Sequence, residues 1–286
     1  MLSFIYILLH YCFYTKAFLE LHKLVCGVHF LLVCDQRADL RHLNAVGFAK
    51  GAEHFFAFLG RRLAIFKTFE QFYQAVIDQS IFALNRCHAI TCAYEGNAVE
   101  IYPTPIFSAT MESSLEKAFD AFAGGAVHND AAVQIASAGT VADSLAMIYK
   151  YVFRDKVVTL ALTLAEYRDI LNKNWEGHEA FRLRILKDED KWGNNKKLPD
   201  AICKHFTETL ARHINAQVTT RMGKYSTCLH GAETFYTMGR LTAATPDGRF
   251  ATEEFSKNTT PVQGMNKSGP TGVVTSMLKL DTNLFM

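Results

Sequence analysis

ATPDGRFATEEFSKNTTPVQG, residues 244–264, decides how this chain is read. It holds Pro246 and Pro261, two of the chain's six prolines, and shows almost no hydrophobic period. It then runs into MNKSGPTGVVTSMLKLD (265–281), whose apolar run reads as a buried element. Loops longer than about 12–15 residues are uncommon in compact domains and are usually functional or disordered. Phe250, Phe255, Val262 and Met265 give this one apolar anchors, so an ordered loop that lines something is expected.

Outward from that loop the chain reads as helices separated by short apolar strands, an α/β pattern rich in helix. Phe69, Phe72, Tyr73, Val76, Ile77 and Ile81 recur at helical spacing behind Thr68, a candidate N-cap. The prolines of IYPTPIFSA (101–109) predict an extended or loop segment. ESSLEKAFDAFAGGAV (112–127) predicts a helix ending at Gly124-Gly125, and AVHNDAAVQIAS (126–137) a strand leaving that turn. GTVADSLAMIYKYVF (139–153) reads as an amphipathic helix through Val141, Leu145, Ile148 and Val152. Thr163 with Glu166 three residues on is a capping box opening another helix. Ile202, Phe206, Leu210 and Ile214 share one face of a third. Before residue 66 no clean period is visible, so 1–65 is set apart from 66–286.

Composition excludes several classes. A formal charge of +2 over 286 residues, with no basic run, gives no electrostatic case for nucleic acid. Seven scattered cysteines (12, 26, 34, 87, 92, 203, 228) with no CxxC pair argue against a disulfide framework and a structural zinc site. Cys87-His88 with Cys92 is the one tempting ligand cluster, and packing is the better account of it; no metal is expected. The apolar N-terminal run MLSFIYILLHYCFYT is short for a membrane span and lacks a basic flank, so a cytoplasmic protein is expected. Ser108, Ser137, His128 and Asp143 are hydrolase-type residues, but no GxSxG elbow presents a nucleophile. His128, Asn129 and Asp130 alternate faces if they lie on a strand, so they do not converge on a metal. Asp143-Ser144 reads as a dipole-complementing first helical turn, Asp247-Gly248 as turn chemistry, and Trp175 and Trp192 as core anchors.

Seven stretches, in this order, resemble glycyl radical enzymes of the pyruvate formate-lyase and glycerol dehydratase superfamily. They are FKTFEQFYQAVIDQ (66–79), PTPIFSA (103–109), GGAVHND (124–130), VADSLAMIYKYVF (141–153), NWEGHEAFR (174–182), KWGNN (191–195) and ATPDGR through MLKLD (244–281). Each is weak alone; the order and spacing carry the likeness over 66–281. The resemblance implies a pyruvate formate-lyase-like β/α barrel, here partial. It also implies a radical lyase or dehydratase acting on a small oxygenated metabolite, of the formate C-acetyltransferase or diol dehydratase type, in anaerobic metabolism.

The resemblance further implies a protein-based glycyl radical installed by a radical-SAM activating enzyme, a thiyl cysteine, no bound cofactor and a homodimer. The family's Cys-x-Glu and Arg-Val-x-Gly-Tyr motifs are not found in these 286 residues. A truncated or frameshifted reading of a longer gene is expected to leave such a chain, inactive by itself. The alternative is a non-catalytic remnant or interaction subunit. Cys228, near Lys224 and His230, is the nearest substitute thiol, expected to have a lowered pKa. By analogy with the mouths of other barrels, His128 and Asn129 at the strand end and Gln263 in the PVQG turn are the candidate substrate-binding residues.

Overall fold

In a computed structural model, the residues described are 66–154, 162–231 and 233–286, with the backbone of a two-residue strand at 30–31. The expectations for the N-terminal apolar run, for Cys12, Cys26 and Cys34, and for the rest of 1–65 lie outside the described residues. In chain order the elements are β1 (Phe30–Leu31), α1 (Phe69–Ile101), α2 (Pro105–Ser108), α3 (Glu112–Lys117), β2 (Ala131–Ile135) and α4 (Ala138–Ile148). They continue with α5 (Leu164–Asn172), α6 (Glu179–Lys187), α7 (Lys197–Asn215), β3 (Tyr225–Cys228), α8 (Thr234–Leu241) and α9 (Gly269–Met277). The result is a helix-rich α/β chain.

The sheet has the order β1-β2-β3. β1 lies antiparallel to β2, while β2 and β3 run parallel, with Ala131 beside Tyr225 and Gln134 beside Cys228. On the other edge of β3, Phe285 makes one parallel bridge to Thr227, and the Met286 amide donates to the Thr227 carbonyl at 2.8 Å.

The core lies between this sheet and α1, α4 and α7. Thr68 caps α1 as its sequence asks, accepting from the Gln71 amide at 3.3 Å. Phe69, Phe72, Val76, Ile77 and Leu84 are then buried at three- and four-residue spacing. α7 buries Ile202, Phe206, Leu210 and Ile214 on the expected face. The capping box of α5 is complete: the Thr163 amide donates to Glu166 Oε2 at 2.7 Å and the Glu166 amide to Thr163 Oγ1 at 3.2 Å.

Five local expectations are corrected. The helix read over 112–125 is interrupted: α3 ends at Ala118, left-handed with φ 51°, and Asp120 caps a separate 3-10 turn at Ala121–Ala123. PTPIFSA is not simply extended, because Pro105 opens the short α2 as an N1 proline. His128, Asn129 and Asp130 precede β2 rather than lying on it. α4 turns no face to solvent; all eleven of its residues are buried, including Thr140, Asp143 and Ser144 on one side, and it passes into π-helical turns at Tyr149–Arg154. It is packed by α7 on one side and an irregular loop on the other. The element after the loop, α9, buries only Gly272 and Ser276, leaving Val274 and Leu278 exposed.

Candidate functional site

The carboxyl ends of the two parallel strands are where α/β folds collect chemistry. β2 runs out through Ala136 into Ser137, a buried serine held at φ 62°, and α4 begins there. β3 runs out through Leu229 and His230 to Gly231. Residues 242–268, without a helix or strand among them, close over both ends. The Thr140 amide donates to Ser256 Oγ at 3.0 Å, and the Ser256 amide returns to Thr140 Oγ1 at 2.9 Å. The Gly231 amide donates to Asn258 Oδ1 at 2.8 Å. A Cβ on Gly139 would stand 2.8 Å from the Thr260 carbonyl oxygen, so a glycine is what lets the loop lie on the helix.

The loop is held by side chains from every neighbour. Trp175 and Trp192, both buried, donate their indole N–H groups to the Arg249 and Thr259 carbonyls at 3.1 and 2.7 Å. Tyr167 donates to the Pro246 carbonyl at 2.7 Å, Lys191 to the Asp247 carbonyl at 2.9 Å, and Arg182 to the Gly248 carbonyl at 2.7 Å. Buried Arg249 donates to the carbonyls of Glu253, Gly239, Thr242 and Ala243 and lies 4.4 Å from the Phe255 ring centroid. Buried carbonyls need such donors, since each left unpaired costs about 1–3 kcal/mol. Asp247-Gly248 is turn chemistry, as expected: Gly248 sits at φ 100° and its amide reaches the Thr245 carbonyl at 3.1 Å.

Asp143 belongs to this knot, and the sequence reading placed it wrongly. α4 starts at Ala138, so Asp143 lies in the second turn rather than the first, fully buried. Its Oδ1 accepts the Trp192 amide at 2.6 Å; its Oδ2 has no hydrogen-bond partner among the described residues. Burial pushes its carboxyl up to about 7, offset in part by Lys191 and the Trp192 amide and reinforced by Asp247 and Asp200. Burial, then Asp143 and Asp200, also drive the Cys203 thiol well above its ordinary range. Both groups are sealed from solvent in this structure.

The Cys228 expectation is overturned. Burial pushes this thiol up, with only the His230 backbone amide acting against it, and Lys224 plays no part. A half-buried neutral thiol at the end of β3 results. Cys92 Sγ lies 3.4 Å from His88 Nε2, but no group of three metal-ligating side chains forms among the described residues. Ser108 is committed to the Thr104 carbonyl and the Ala121 amide, so no triad assembles around it.

His128 and Asn129 stand at the amino end of β2, opposite to the end the loop covers. Asn129 Nδ2 donates to the Ala126 carbonyl at 3.0 Å, and its own carbonyl accepts from Thr219 Oγ1 in the turn before β3. His128 is exposed, as is Gln263, and no hydrogen bond joins the three candidates. The sequence reading missed the donors that organise the loop, chiefly Arg249, Lys191 and Tyr167; an arginine following the Asp-Gly turn was the available signal. A cleft of about 590 Å³ lies elsewhere, beside the π-helical turns, lined by Lys150, Tyr151, Leu183, Arg184, Lys187 and Asp188. Burial would raise the Asp188 carboxyl, but Lys150 at 2.6 Å and the Asp190 amide hold it below its usual range.

Comparison with known proteins agrees with this architecture. A model of the family "Pyruvate formate lyase-like" matches residues 56–239. The (2S)-3-sulfopropanediol dehydratase of Klebsiella oxytoca is 32% identical over 227 residues, 78% of this chain and 27% of its own length. The trans-4-hydroxy-L-proline dehydratase of Clostridioides difficile is 27% identical over 222 residues, 76% of this chain and 27% of its own. Among solved structures, the glycerol-bound B12-independent glycerol dehydratase from Clostridium butyricum superposes with a TM-score of 0.70 at 25% identity, covering 76% of this chain and 27% of that one. The chain thus spans about a quarter of the length of the relatives it matches. A loop-capped parallel strand pair and a family match across 56–239 lead to one assignment: the chain belongs to the pyruvate formate lyase-like, glycyl radical enzyme family.

Proposed function

We propose that this chain forms part of the wall of a pyruvate formate lyase-type β/α barrel in which a small oxygenated metabolite is dehydrated or cleaved. The observation that carries this is the match to dehydratases in both sequence and fold, at 32% identity and a TM-score of 0.70. The parallel β2–β3 pair, closed at its carboxyl end by the loop, supports a partial barrel. The loop's role is to keep that end dry and fixed, as chemistry through reactive intermediates requires.

No Cys-x-Glu pair and no Arg-Val-x-Gly-Tyr segment occur in the 286 residues, and Cys228 is a neutral thiol. The residues present do not fit the radical positions, so no step is derived through a radical here. Assayed by themselves, these residues are expected to be catalytically silent. The test is anaerobic purification, treatment with a radical-SAM activating enzyme and S-adenosylmethionine, and electron paramagnetic resonance. A glycyl doublet, or turnover of glycerol, 1,2-propanediol or pyruvate, overturns the reading. Translating the flanking DNA in three frames adds a second check: the two missing motifs should appear on either side.

His128, Asn129 and Gln263 remain the residues proposed to touch substrate. His128 and Asn129 lie on the side of the sheet where barrels usually place stability rather than chemistry, whereas Gln263 belongs to the loop over the other end, which makes the test sharp. Alanine at the matching positions of a full-length dehydratase should raise KM or lower kcat at least about tenfold, and unchanged kinetics removes them. Among the described residues no helix is long and apolar enough to cross a membrane. A cytoplasmic location, a homodimer and an activating partner belong to the same proposal.

A further inference from the structure

Ala180, Leu183, Arg184 and Lys187 recur at helical spacing along the solvent face of α6, while Phe181 and Ile185 behind them are buried. Across from that face stand Lys150 and Tyr151, carried by the π-helical turns at Tyr149–Arg154. Such turns inside helices occur frequently at functional sites. Between the two elements lies the cleft of about 590 Å³, within the roughly 300–1,000 Å³ of small-molecule sites.

Charge decides what this cleft takes. Lys150 is committed: it donates to both oxygens of Asp188 at 2.9 and 2.6 Å and to Asp190 at 3.0 Å. Tyr151 adds its hydroxyl to Asp188 at 3.3 Å, and this cluster closes the floor, with the Asp188 side chain only 8% exposed. Arg184 and Lys187 on the rim are not committed. Both are exposed, and neither side chain has an ion pair or hydrogen bond among the described residues; the Arg184 guanidinium lies 5.7 Å from the Tyr151 ring centroid. Lys267 adds positive charge nearby, its Nζ on the Leu186 and Lys187 carbonyls at 3.2 and 3.1 Å. Cations in the last turn of a helix are ordinary. Two of them uncommitted at a cleft that also offers Leu183 and Ala180 make a receptor for an anion with an apolar part.

We propose that the cleft binds a small organic phosphate monoester, its phosphate at Arg184 and Lys187 and its carbon skeleton against Leu183 and Ala180. Two uncommitted cations one turn apart match a head group of charge near −2, which a phosphate monoester carries at neutral pH and a carboxylate does not. The arginine fork takes two phosphate oxygens, and lysine serves a third as a point charge. The site holds whether or not the chain takes part in catalysis.

The test is isothermal titration of the full chain at low salt and about pH 7.5 with phenyl phosphate, inorganic phosphate and benzoate as separate probes. Phenyl phosphate should bind with a Kd below about 1 mM, roughly tenfold tighter than benzoate and threefold tighter than inorganic phosphate. Its affinity should fall as pH drops through about 6, where the monoester takes up its second proton. Arg184→Gln and Lys187→Gln should each weaken it about tenfold, and Leu183→Asn about threefold without changing the binding of inorganic phosphate. All three side chains are exposed, so circular dichroism should stay that of the parent chain. Affinity unchanged in the Arg184 and Lys187 variants, or no binding tighter than about 10 mM by a well-folded chain, overturns the proposal. Equal affinity for the three probes also overturns it, since charge alone would then account for the binding.

Discussion

The loop at 242–268 and the segment at 101–127 are of equal length, and they treat polarity in opposite ways. In the loop, irregular backbone is turned inward, and its carbonyls meet donors from neighbouring elements, Trp175, Trp192, Tyr167, Lys191 and Arg182, and from the loop's own Arg249. In the segment, the donors and acceptors meet one another across Thr104, Ser108 and Asp120, and the apolar side chains face out. The first region buries its apolar side chains with its polar ones, and the second leaves Ile106, Leu115 and Phe119 exposed among the described residues. Irregularity alone therefore says nothing about whether a stretch is stable; where its polar groups go does.

The comparison breaks most sharply at Arg249. Its buried guanidinium donates to four carbonyls, of which Gly239 and Thr242 also accept backbone amides, so Arg249→Ala should lower unfolding stability by about 3–5 kcal/mol, measured by urea denaturation. Arg249→Lys should recover little of it, because an ammonium cannot fork to the same acceptors. A loss below about 1 kcal/mol would mean the loop is not held this way.

Asp143 tests the loop through pH. Its folded pKa is raised from 3.8 to about 7, so the unfolded chain ionises first as pH climbs. Stability from this group is therefore full below about pH 4, falls through the window between the two values, and levels off above about 7. His213, whose pKa burial lowers from 6.5, acts in the opposite sense below that pH, so the difference from Asp143→Asn is the clean measurement. Wild type minus variant should decline by roughly 2–4 kcal/mol between pH 4 and pH 7.5. A flat difference curve would show that Asp143 reaches water.

Gly139 comes next in size. A methyl there meets the Thr260 carbonyl at 2.8 Å, Ser256 Oγ at 3.1 Å and the Trp192 ring at 3.1 Å. Alanine normally favours a helix over glycine by about 1 kcal/mol. Here Gly139→Ala should instead cost about 1–3 kcal/mol and lift the loop, read as faster amide exchange at Thr140 and Ser256.

What could be read from the sequence was whatever local chemistry decides. Thr68 and Thr163 declare helix starts because a hydroxyl before a helical run has one good use, and α7 shows its face because one side of it meets solvent. α4 hid its nature because its polar stripe, Thr140, Asp143 and Ser144, looks like a solvent face in the sequence but is buried, with Thr140 against Ser256 and Asp143 against the Trp192 amide. The break at Ala118 was invisible because Asp120 and Thr104, sixteen residues apart, impose it. β3 went unread since Tyr225-Ser-Thr-Cys228 has no apolar alternation, and its pairing with β2 supplies what its side chains do not. The candidate site followed suit: the loop was legible as ordered, its donors were not. His128 and Asn129 were set at the wrong strand end because the start of β2 was read too early.

The smallest expected effect falls on the other side of the comparison. Replacing exposed Ile106 by Asp and exposed Leu115 by Ser should change the stability of the chain alone by no more than about 0.5 kcal/mol. Neither side chain contributes to the buried core, and the Thr104–Asp120–Ser108 knot beneath them is left intact. The same pair should raise the solubility limit of the chain, because a charge in the middle of an apolar patch removes its tendency to find another. Thermal melting and light scattering on the same samples separate the two effects. A large loss of stability would mean that these side chains are already covered by this chain's own residues, and the contrast between the buried loop and the exposed segment would disappear.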